Sequence, residues 1–167
     1  MRPVYTIEPL GKIHDRAAFA CGVEQLDHYI KVIASQDMRR RLAITYVMHR
    51  PESPTVIGYY SLSAYAIQTT ELPDDLRRRV KYEHVPAAML GRLALDRNYH
   101  GQRLGALLLV DALKRAVQTE VAVMAVVVDA IDDRARQFYE MYGFERLADH
   151  PNRLFITAKT IEQLIAG

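Results

Sequence analysis

The segment over residues 89–109 constrains the fold most, because it joins an apolar strand to an amphipathic helix through a glycine-containing turn. Residues 93–95 are apolar enough for a buried strand, and apolar residues recur with helical spacing from Leu104 onward. The turn between them reads His100-Gly101-Gln102-Arg103-Leu104-Gly105-Ala106. Glycines let consecutive N–H groups point to one side, and the helix adds the positive end of its dipole. The segment predicts a diphosphate site, with an ordinary strand-turn-helix connection as the alternative.

Two common phosphate-binding loops do not match this turn. A Walker loop needs Lys-Ser/Thr after its second glycine, and a Rossmann turn needs Gly-x-Gly-x-x-Gly with an acidic residue about twenty positions later. The turn resembles instead the acetyl-CoA signature of the GNAT acetyltransferases, Arg/Gln-x-x-Gly-x-Gly/Ala, with Arg103 where the first glycine is usual. Because of this departure, the loop need not adopt its usual backbone dihedral angles. An arginine whose backbone stays in the helical region can still add a charge-assisted contact to phosphate.

Length and composition indicate one domain over residues 1–167, because 167 residues with 50% hydrophobic content can bury a sizeable core. Cys21 is the only cysteine, which excludes an intrachain disulfide and a cysteine metal cluster. The N-terminus lacks a signal-peptide pattern, and no apolar run approaches the roughly 18 residues of a membrane span. We therefore expect a cytoplasmic protein with no membrane partner. The net charge of +2 permits an anionic partner without requiring one.

Hydrophobic periodicity predicts a mixed sheet with helices on both faces, α+β rather than doubly wound. The first strand is expected at residues 4–8, followed by a helix that ends near Met38. Strands over 42–49 and 56–67 flank a short turn and form an antiparallel hairpin. The other expected elements are a short helix over 72–77, the central strand and helix, a strand covered on both faces over 121–128, a helix capped by Asp132 or Asp133 and stopped by Gly143, strands over 144–147 and 154–158, and a helix from Thr160.

This order resembles the GNAT fold over essentially the whole chain. The second GNAT signature, Ala-x-x-Phe-Tyr-x-x-x-Gly-Phe after a strand, matches residues 135–144 after Val128-Asp129-Ala130. The resemblance implies a mixed, mostly antiparallel central sheet that is splayed at the cofactor cleft, and acetyl-CoA as the cofactor. The cofactor-binding residues that it implies are Leu93, Ala94, Leu95, His100, Gly101, Gln102, Arg103, Leu104, Gly105, Ala106, Asp129, Ala135, Phe138 and Tyr142.

The N-terminal half resembles a narrower group, the GNAT toxins of bacterial toxin–antitoxin modules. The matching segments are Phe19-Ala20-Cys21-Gly22, Leu26-Asp27-His28-Tyr29-Ile30, Ile57-Gly58-Tyr59-Tyr60-Ser61-Leu62-Ser63 and Gly91-Arg92-Leu93-Ala94. Membership implies an enzyme that acetylates the α-amino group of aminoacyl-tRNA and halts translation. It also implies a homodimer neutralised by a ribbon-helix-helix antitoxin, through which alone it reaches DNA. A protein N-terminus or small amine as acceptor, and a non-catalytic coenzyme A binding module, are the open alternatives.

Tyr139 occupies the position of the family's general acid. Acetyl transfer from a thioester to an amine needs a neutral amine, donors for the carbonyl oxyanion and a proton for the departing thiolate. Backbone amides of the splayed central strand, residues 93–95, could serve as the oxyanion donors. A free phenol with a pKa near 10 can protonate a thiolate with a pKa near 8.5 at a cost of roughly 2 kcal/mol. The alternative is that Phe138-Tyr139 is simply part of an apolar helical stripe in the core.

Two arginine clusters are candidates for RNA contacts. Arg39-Arg40-Arg41 and Arg77-Arg78-Arg79 each follow a predicted helix, so they could bind phosphates or only offset the helix dipole. We assign the first cluster and Arg92 to the tRNA. An α-amine, with a pKa of about 7.7–8.0, is partly neutral at neutral pH, whereas a lysine amine near 10.4 needs a base. An aminoacyl ester therefore suits a site in which the sequence reveals no base.

The remaining candidate residues predict no further site. The six histidines are scattered without ligand spacing, so no metal is expected. Cys21 beside Gly22 could be a nucleophile, but it is more often a small buried residue. Tyr59 and Tyr60 alternate on a strand, which places one in the core and the other toward a groove. The histidines are His14, His28, His49, His84, His100 and His150.

Overall fold

A computed structural model describes residues 4–167 of the chain. Its strands are β1 (Thr6–Pro9), β2 (Ile44–His49), β3 (Gly58–Gln68), β4 (His84–Leu95), β5 (Ala125–Asp129), β6 (Glu145–Arg146) and β7 (Arg153–Thr157). Its α-helices are α1 (Glu24–His28), α2 (Ala34–Arg39), α3 (Asp74–Arg77), α4 (Leu104–Val117), α5 (Asp133–Met141) and α6 (Ala158–Ala166). A π-helical turn, Tyr29–Ile33, joins α1 to α2, and short 3-10 turns lie at Thr69–Glu71 and Arg97–Tyr99.

The seven strands form one open sheet in the order β1-β2-β3-β4-β5-β7-β6. The pairs β1–β2, β2–β3, β5–β7 and β6–β7 are antiparallel, and β4–β5 is parallel. The prediction of a mixed α+β sheet with an N-terminal antiparallel hairpin is confirmed. Residues 4–167 contain no helix that combines the length and the apolar character needed to cross a membrane.

Strand β4 is longer than the stretch to which it pairs on β5. The parallel register starts at Ala87 opposite Ala125 and ends at Leu90 opposite Val128. Strand β5 pairs along its whole length with β7, up to Asp129 opposite Arg153. The last part of β4, which leads to Leu95, is therefore outside the β4–β5 register.

The chain comprises two compact units, and the first contains residues 4–63 and 91–112. Its core is built from side chains of the N-terminal loop, the α1–α2 helix and strands β2 to β4. Tyr59 is fully buried, and its hydroxyl donates to the Leu26 carbonyl at 2.6 Å. The core residues are Leu10, Phe19, Cys21, Tyr29, Ile30, Ala34, Val47, Val56, Tyr59 and Ala94.

Helix α4 approaches β3 closely at Gly58 in this unit. A Cβ atom at Gly58 would lie 2.9 Å from Leu108 Cδ1 and 3.1 Å from Leu95 Cδ1. Leu108 is fully buried, so its side chain has little room to move. Glycine at position 58 thus sets how closely the start of α4 packs on the sheet.

The second unit contains residues 64–90 and 113–167. Strand β5 supplies the centre of its core, with four consecutive fully buried residues, Ala125 to Val128. The core cluster consists of Ile67, Leu72, Val85, Ala87, Ala125, Val127, Leu147 and Phe155. Gly143 ends the turn after α5 with φ of 98°, in the left-handed region that favours glycine, which confirms its predicted role as a stop.

Several predicted boundaries were wrong. Strand β5 begins at Ala125 rather than at residue 121, because the preceding segment forms a turn in which the Thr119 hydroxyl donates to the Val121 carbonyl. Val121 itself is 77% exposed. Strand β4 starts at His84, far ahead of the predicted residues 93–95. The first helix contains a π-helical turn that no residue pattern indicated.

Candidate active site

Asp96 fixes the start of the predicted diphosphate loop. Its buried carboxylate accepts the Asn98 N–H at 2.9 Å and the Ala20 N–H at 3.1 Å. The Asp96 N–H donates to the Ile57 carbonyl, and the Arg97 N–H donates to the Ala20 carbonyl. The 3-10 turn after β4 is therefore attached both to the N-terminal loop and to the residue that precedes β3.

The loop contains two left-handed residues just before α4. Gly101 has φ of 81° and Arg103 has φ of 61°. Arg103 does not meet the condition of a right-handed helical backbone, because it adopts the left-handed conformation that glycine would adopt at little cost. Arg103 is exposed, and so are Gly101 and Gln102. The loop keeps a glycine-like shape despite the substitution.

Helix α4 begins immediately after Arg103, with Leu104 buried and Gly105 and Ala106 partly exposed. First-turn N–H groups of an α-helix have no acceptor within the helix, so they are available to an anion. His100 occupies the first position of the signature, usually arginine or glutamine, and this is a second departure. Its Nε2 lies 2.7 Å from the Leu95 carbonyl oxygen. Since a carbonyl only accepts, Nε2 carries the proton and bridges the two ends of the loop.

The candidate oxyanion donors lie at the end of β4. Leu93 and Leu95 are partly buried, and Ala94 is buried in the core of the first unit. All three follow Leu90, where the register with β5 ends. A role as oxyanion donors requires the backbone of this part of β4 to lie outside the pairing with β5, as it does here.

Tyr139 lies on α5 in the second unit. The Asp132 carboxylate caps this helix by accepting the Ala135 N–H at 2.8 Å, which decides between the two predicted caps. The Tyr139 ring packs edge-on against Phe138 and Phe144, each with a centroid separation of 5.3 Å. Tyr139 is 8% exposed, so packing in the core is part of its role.

The Tyr139 hydroxyl, however, makes no hydrogen bond within the described part of the chain. The hydroxyl oxygen is not among the fully buried side-chain atoms of residues 4–167 that lack a partner, so it retains access to the surface and can meet an incoming group. Burial raises the pKa of Tyr139 to about 12. Proton transfer to a thiolate with a pKa near 8.5 then costs about 5 kcal/mol, still below the roughly 13–17 kcal/mol barrier of ordinary turnover.

The other predicted cofactor residues of the second unit surround Tyr139 in sequence. Ala135, Phe138 and Tyr142 are partly exposed, and the Phe138 and Tyr142 rings meet edge-on at 5.2 Å. Asp129 is held by Arg153 through bonds of 2.6 Å and 2.9 Å. Its carboxylate is thus occupied by a bidentate ion pair, which leaves its backbone as the group available to a cofactor.

Arg92 lies over an aromatic ring of the first unit. Its guanidinium carbon is 3.6 Å from the centroid of the Tyr29 ring, a close cation–π contact. Tyr29 is 1% exposed, and its hydroxyl donates to the Asp37 carboxylate at 2.9 Å. The π-helical turn begins at Tyr29, and such turns are frequent at functional sites. Arg92 is therefore held in one orientation while part of it stays exposed.

The first arginine cluster is exposed at the end of α2. Arg41 has φ of 60°, and the Leu42 N–H reaches back to the Asp37 carbonyl, so these residues form a left-handed helix end. The guanidinium groups of Arg39, Arg40 and Arg41 make no ion pair within residues 4–167. They do not cap the helix carbonyls with their side chains, which favours a role toward an external anion.

The second arginine cluster fits the alternative interpretation better. Arg77 pairs with Asp74 in the same short helix, at 2.5 Å. Arg78 and Arg79 are exposed. Part of the positive charge of this cluster is therefore neutralised locally.

Three further expectations can be compared with the structure. Cys21 is buried, and burial together with the neighbouring Asp27 raises the pKa of its thiol to about 11, so it is a core residue and not a nucleophile. The prediction that one of Tyr59 and Tyr60 faces a groove was wrong, because both are fully buried. The Tyr60 hydroxyl donates to the Asp111 carboxylate at 2.5 Å.

The sequence indicated that all six histidines are scattered, but two of them meet in the structure. The structure brings Glu8, His14 and His49 together, with one potential ligand atom of each within 4.8 Å of the others. We call these residues the Glu8 cluster. Sequence separation hid it, because the residues come from β1, a loop and the end of β2.

Known proteins match this chain along most of its length. A family model described as an acetyltransferase (GNAT) domain matches residues 75–158. A probable toxin TacT of Sinorhizobium fredii is 32% identical over 170 residues, covering 95% of this chain and 94% of TacT. A tRNA-acetylating toxin of Mycobacterium tuberculosis is 32% identical over 153 residues, with 90% of each chain covered.

Solved structures of similar proteins agree with this match. AtaT complexed with acetyl-methionyl-tRNAfMet has a TM-score of 0.90 at 30% identity and covers 97% of this chain and 99% of its own. AtaTR bound with AcCoA has a TM-score of 0.84 at 30% identity, covering 96% and 98%. A mutant AtaT toxin bound to the C-terminus of the antitoxin AtaR has a TM-score of 0.83 at 28% identity, covering 98% and 99%. The family match, the near-complete coverage by relatives and the shared fold show that this chain belongs to the GNAT acetyltransferases.

Proposed function

We propose that this protein is a toxin that transfers an acetyl group from acetyl-CoA to the α-amino group of an aminoacyl-tRNA and so blocks translation. The observation that carries the proposal is the similarity, over nine-tenths of the chain or more, to a tRNA-acetylating toxin and to AtaT with acetyl-methionyl-tRNAfMet. The loop before α4 and the hydroxyl of Tyr139 supply residues suited to the chemistry.

The diphosphate of acetyl-CoA is assigned to the loop and first turn of α4. Gly101 supports this assignment, since nothing lies within 4 Å of the position of a Cβ atom there and its left-handed backbone turns the loop. The amides from Gln102 to Ala106 would bind phosphate oxygens, with Arg103 adding a positive charge. Bound acetyl-CoA supplies the acetyl thioester.

In the proposed reaction, the amine nitrogen forms a bond to the acetyl carbonyl carbon and the carbon–sulfur bond breaks. The N–H groups of residues 93–95 stabilise the carbonyl oxyanion, and Tyr139 donates its phenolic proton to the departing sulfur. The amine loses one proton, which regenerates the phenol directly or through water. Each group then returns to its starting charge.

The acceptor is assigned to the side of the α1–α2 helix. Arg92, fixed on the Tyr29 ring, offers a charge near the end of β4. Arg39, Arg40 and Arg41, which have no ion pair among residues 4–167, offer charges for acceptor-stem phosphates. The low pKa of an α-amine beside an ester means that such an acceptor is substantially neutral without a dedicated base.

The finer assignments concern partners and location. By analogy with AtaT bound to AtaR, we propose a cognate antitoxin, of the ribbon-helix-helix class, that neutralises the toxin. We further propose a homodimer that reaches DNA only through this antitoxin and acts in the cytoplasm, where aminoacyl-tRNA is found. Residues 1–167 would act as one acetyltransferase domain.

The direct test measures transfer of labelled acetyl from acetyl-CoA to charged tRNA. Uncharged tRNA serves as the control, and a peptide N-terminus and a polyamine compete as acceptors. We expect label on charged tRNA only, attached to the amino acid released by mild alkali. Labelling of the peptide or polyamine without charged tRNA would reject the tRNA acceptor, and acetyl-CoA binding without any transfer would indicate a binding module.

Tyr139→Phe tests the general acid. The ring remains and the proton is lost, so folding and acetyl-CoA affinity should persist while turnover falls by about two to four decades. Tyr82→Phe is the matched control, since Tyr82 is 78% exposed on the same unit. Turnover near that of the wild type in Tyr139→Phe would assign Tyr139 to the core alone.

Charge reversal tests the tRNA-binding arginines. Arg39→Glu/Arg40→Glu should raise the KM for charged tRNA about tenfold or more and flatten the dependence of activity on salt, while acetyl-CoA affinity stays unchanged. Arg78→Glu/Arg79→Glu makes the same change of net charge at the second cluster and should act less. Equal effects of the two pairs would point to nonspecific attraction.

A further inference from the structure

The Glu8 cluster is a partly buried polar network that the proposed chemistry does not use. The Glu8 carboxylate lies 2.6 Å from His49 Nε2 and 3.6 Å from His14 Nε2. The side chains of His14 and His49 are 2% and 9% exposed, whereas that of Glu8 is 35% exposed. His14 Nε2 is buried without a hydrogen-bond partner among the described residues. The ring centroids of the two histidines are 5.1 Å apart.

The hydrogen bonds determine where the protons lie. His49 Nδ1 contacts the carbonyls of Arg50 at 2.8 Å and Ser53 at 3.0 Å, so Nδ1 must carry a proton. His49 Nε2 faces a carboxylate, which stabilises a second proton on the ring. His14 Nδ1 accepts the Gly11 N–H at 2.9 Å, so the proton of a neutral His14 ring lies on Nε2.

The same arrangement disfavours a metal ion. A ligating His14 Nε2 would have to give up its proton to Nδ1, which would then oppose the Gly11 N–H. The 2.6 Å contact between His49 and Glu8 is a hydrogen-bond distance, whereas two ligands of one tetrahedral zinc lie roughly 3.3 Å apart for bonds of about 2.0 Å. The distance between His49 and Glu8 therefore fits a shared proton and not a bridging cation.

Glu8 and His49 add a side-chain contact to the backbone pairing of β1 with β2. Thr6 is opposite His49 in the β1–β2 register and Glu8 is opposite Val47, so Glu8 and His49 are diagonal neighbours on one face. Strand β1 lies at the edge of the sheet. The loop that follows is attached at Leu10 and Asp15, whose N–H groups donate to the Thr45 and Pro54 carbonyls.

We propose that the Glu8 cluster is a proton-dependent contact that stabilises β1 and residues 10–15. Its stabilising effect is greatest in mildly acidic solution and falls at lower and at higher pH. On the alkaline side His49 loses the proton that it shares with Glu8, and the contact between the buried imidazole and the partly exposed carboxylate weakens. On the acidic side Glu8 becomes neutral, and the charged His49 ring is left facing His14 without a counter-charge.

The direction of each titration agrees with this geometry. The hydrogen bond from His49 is the main cause that lowers the pKa of Glu8 from 4.5, so its stabilisation is lost as the pH falls below that value. Burial opposes the charge on His49, but the bonds to Glu8, Arg50 and Ser53 together raise its pKa above 6.5, so its stabilisation is lost as the pH rises. Both contributions to stability are therefore fully present between pH 4.5 and 6.5.

Other charged groups near the cluster are engaged elsewhere or exposed. The Asp15 carboxylate accepts the Ala17 N–H, and the Arg50 guanidinium lies over the Tyr99 ring. Lys12 and Glu52 are exposed. The groups that act electrostatically on Glu8 are the two imidazoles, and Glu8 is the charged side chain that acts on His49.

The test is hydrogen exchange of the full chain from pH 3.5 to 9, with protection factors corrected for the intrinsic exchange rate. Peptides covering residues 4–16 should be most protected between pH 4.5 and 6.5. Above that range, protection should fall by about tenfold for each unit by which the pKa of His49 is raised. His49→Gln should remove the alkaline limb and reduce the acidic limb, because the bond from His49 is the main cause of the lowered pKa of Glu8, and Glu8→Gln should remove both limbs. His150→Gln, which breaks the 3.3 Å contact with Glu71 in the other unit, is the matched control and should change neither.

A wild-type profile that is flat from pH 3.5 to 9 overturns the proposal without any variant. An unchanged profile in Glu8→Gln overturns it equally. Zn²⁺ that raises the melting temperature of the wild type but not of Glu8→Gln would show a metal in the cluster and would also overturn it. None of these readouts depends on acetyl transfer, so they are independent of the proposed function.

Discussion

Replacing Arg103 by glycine should stabilise this protein, although it removes an arginine from the proposed diphosphate loop. Arg103 has φ of 61°, and the left-handed conformation costs an L-residue about 1–2 kcal/mol. Glycine avoids that cost but loses about 0.5–1 kcal/mol more conformational entropy on folding. The difference is about 0.7 kcal/mol in favour of Arg103→Gly, or about 2 °C in melting temperature for a chain of this size.

Two further variants separate backbone strain from charge. Arg103→Ala removes the guanidinium but keeps a Cβ atom, so its stability should match that of the wild type to within a few tenths of a kcal/mol. Arg41→Gly relieves the same strain, at φ of 60°, outside the cofactor loop. It should raise stability by a similar amount and leave acetyl-CoA affinity unchanged.

Acetyl-CoA affinity reports on the charge of Arg103. An exposed charge-assisted contact is worth about 1 kcal/mol, so Arg103→Gly and Arg103→Ala should both weaken acetyl-CoA binding by about fivefold. Urea denaturation and titration calorimetry measure the two quantities. If Arg103→Gly is no more stable than Arg103→Ala, the strain argument fails; if both bind acetyl-CoA as the wild type does, Arg103 does not contact phosphate.

Two substitutions and one spectroscopic measurement test the packing around the candidate site. Gly58→Ala should destabilise the fold by about 1–3 kcal/mol in urea titrations, because its Cβ would meet Leu108, whereas Gly11→Ala, with its nearest neighbour at 3.9 Å, should cost less. Asp132→Ala should cost about 1 kcal/mol by removing the cap of α5, and stability equal to the wild type would argue against that cap. In carbon-13 NMR of labelled tyrosine, the Tyr139 ring should stay neutral at pH 10, because burial raises its pKa to about 12. Ionisation of the ring below pH 10 would show that the phenol is solvated.

The elements that carry the candidate site could be predicted because their sequence patterns are local. Glycines and helical periodicity mark the turn from His100 to Ala106, and the cap and stop of α5 are single residues with strong preferences. The two GNAT signatures also occur along the chain in the order that is typical of the family. Local sequence patterns therefore identify these candidate residues without reference to the fold.

The features that could not be predicted depend on contacts between distant segments. Glu8 and His49 meet only because of the register of β1 on β2, which sequence spacing does not reveal. The burial of both Tyr59 and Tyr60 requires cover on both faces of β3, supplied for Tyr60 in part by Asp111 of α4 and the stacked ring of Tyr46. The β-branched run that includes Val121 looks like a strand from its first residue, although a turn occupies its start.

The π-helical turn is the place in the first helix where the number of residues can change. The Ala34 N–H bonds to the Tyr29 carbonyl, five residues back, so this turn holds one residue more than an α-helical turn. Deleting one residue here would return it to an α-helical turn with little rotation of the flanking segments, whereas a deletion within α1 would rotate the residues before it by about 100° about the axis. In that second case the Leu26 carbonyl that receives the Tyr59 hydroxyl, or the Asp27 carboxylate that receives the Cys21 N–H, would turn away from its partner. Length variation of this helix in relatives should therefore be confined to the π-helical turn.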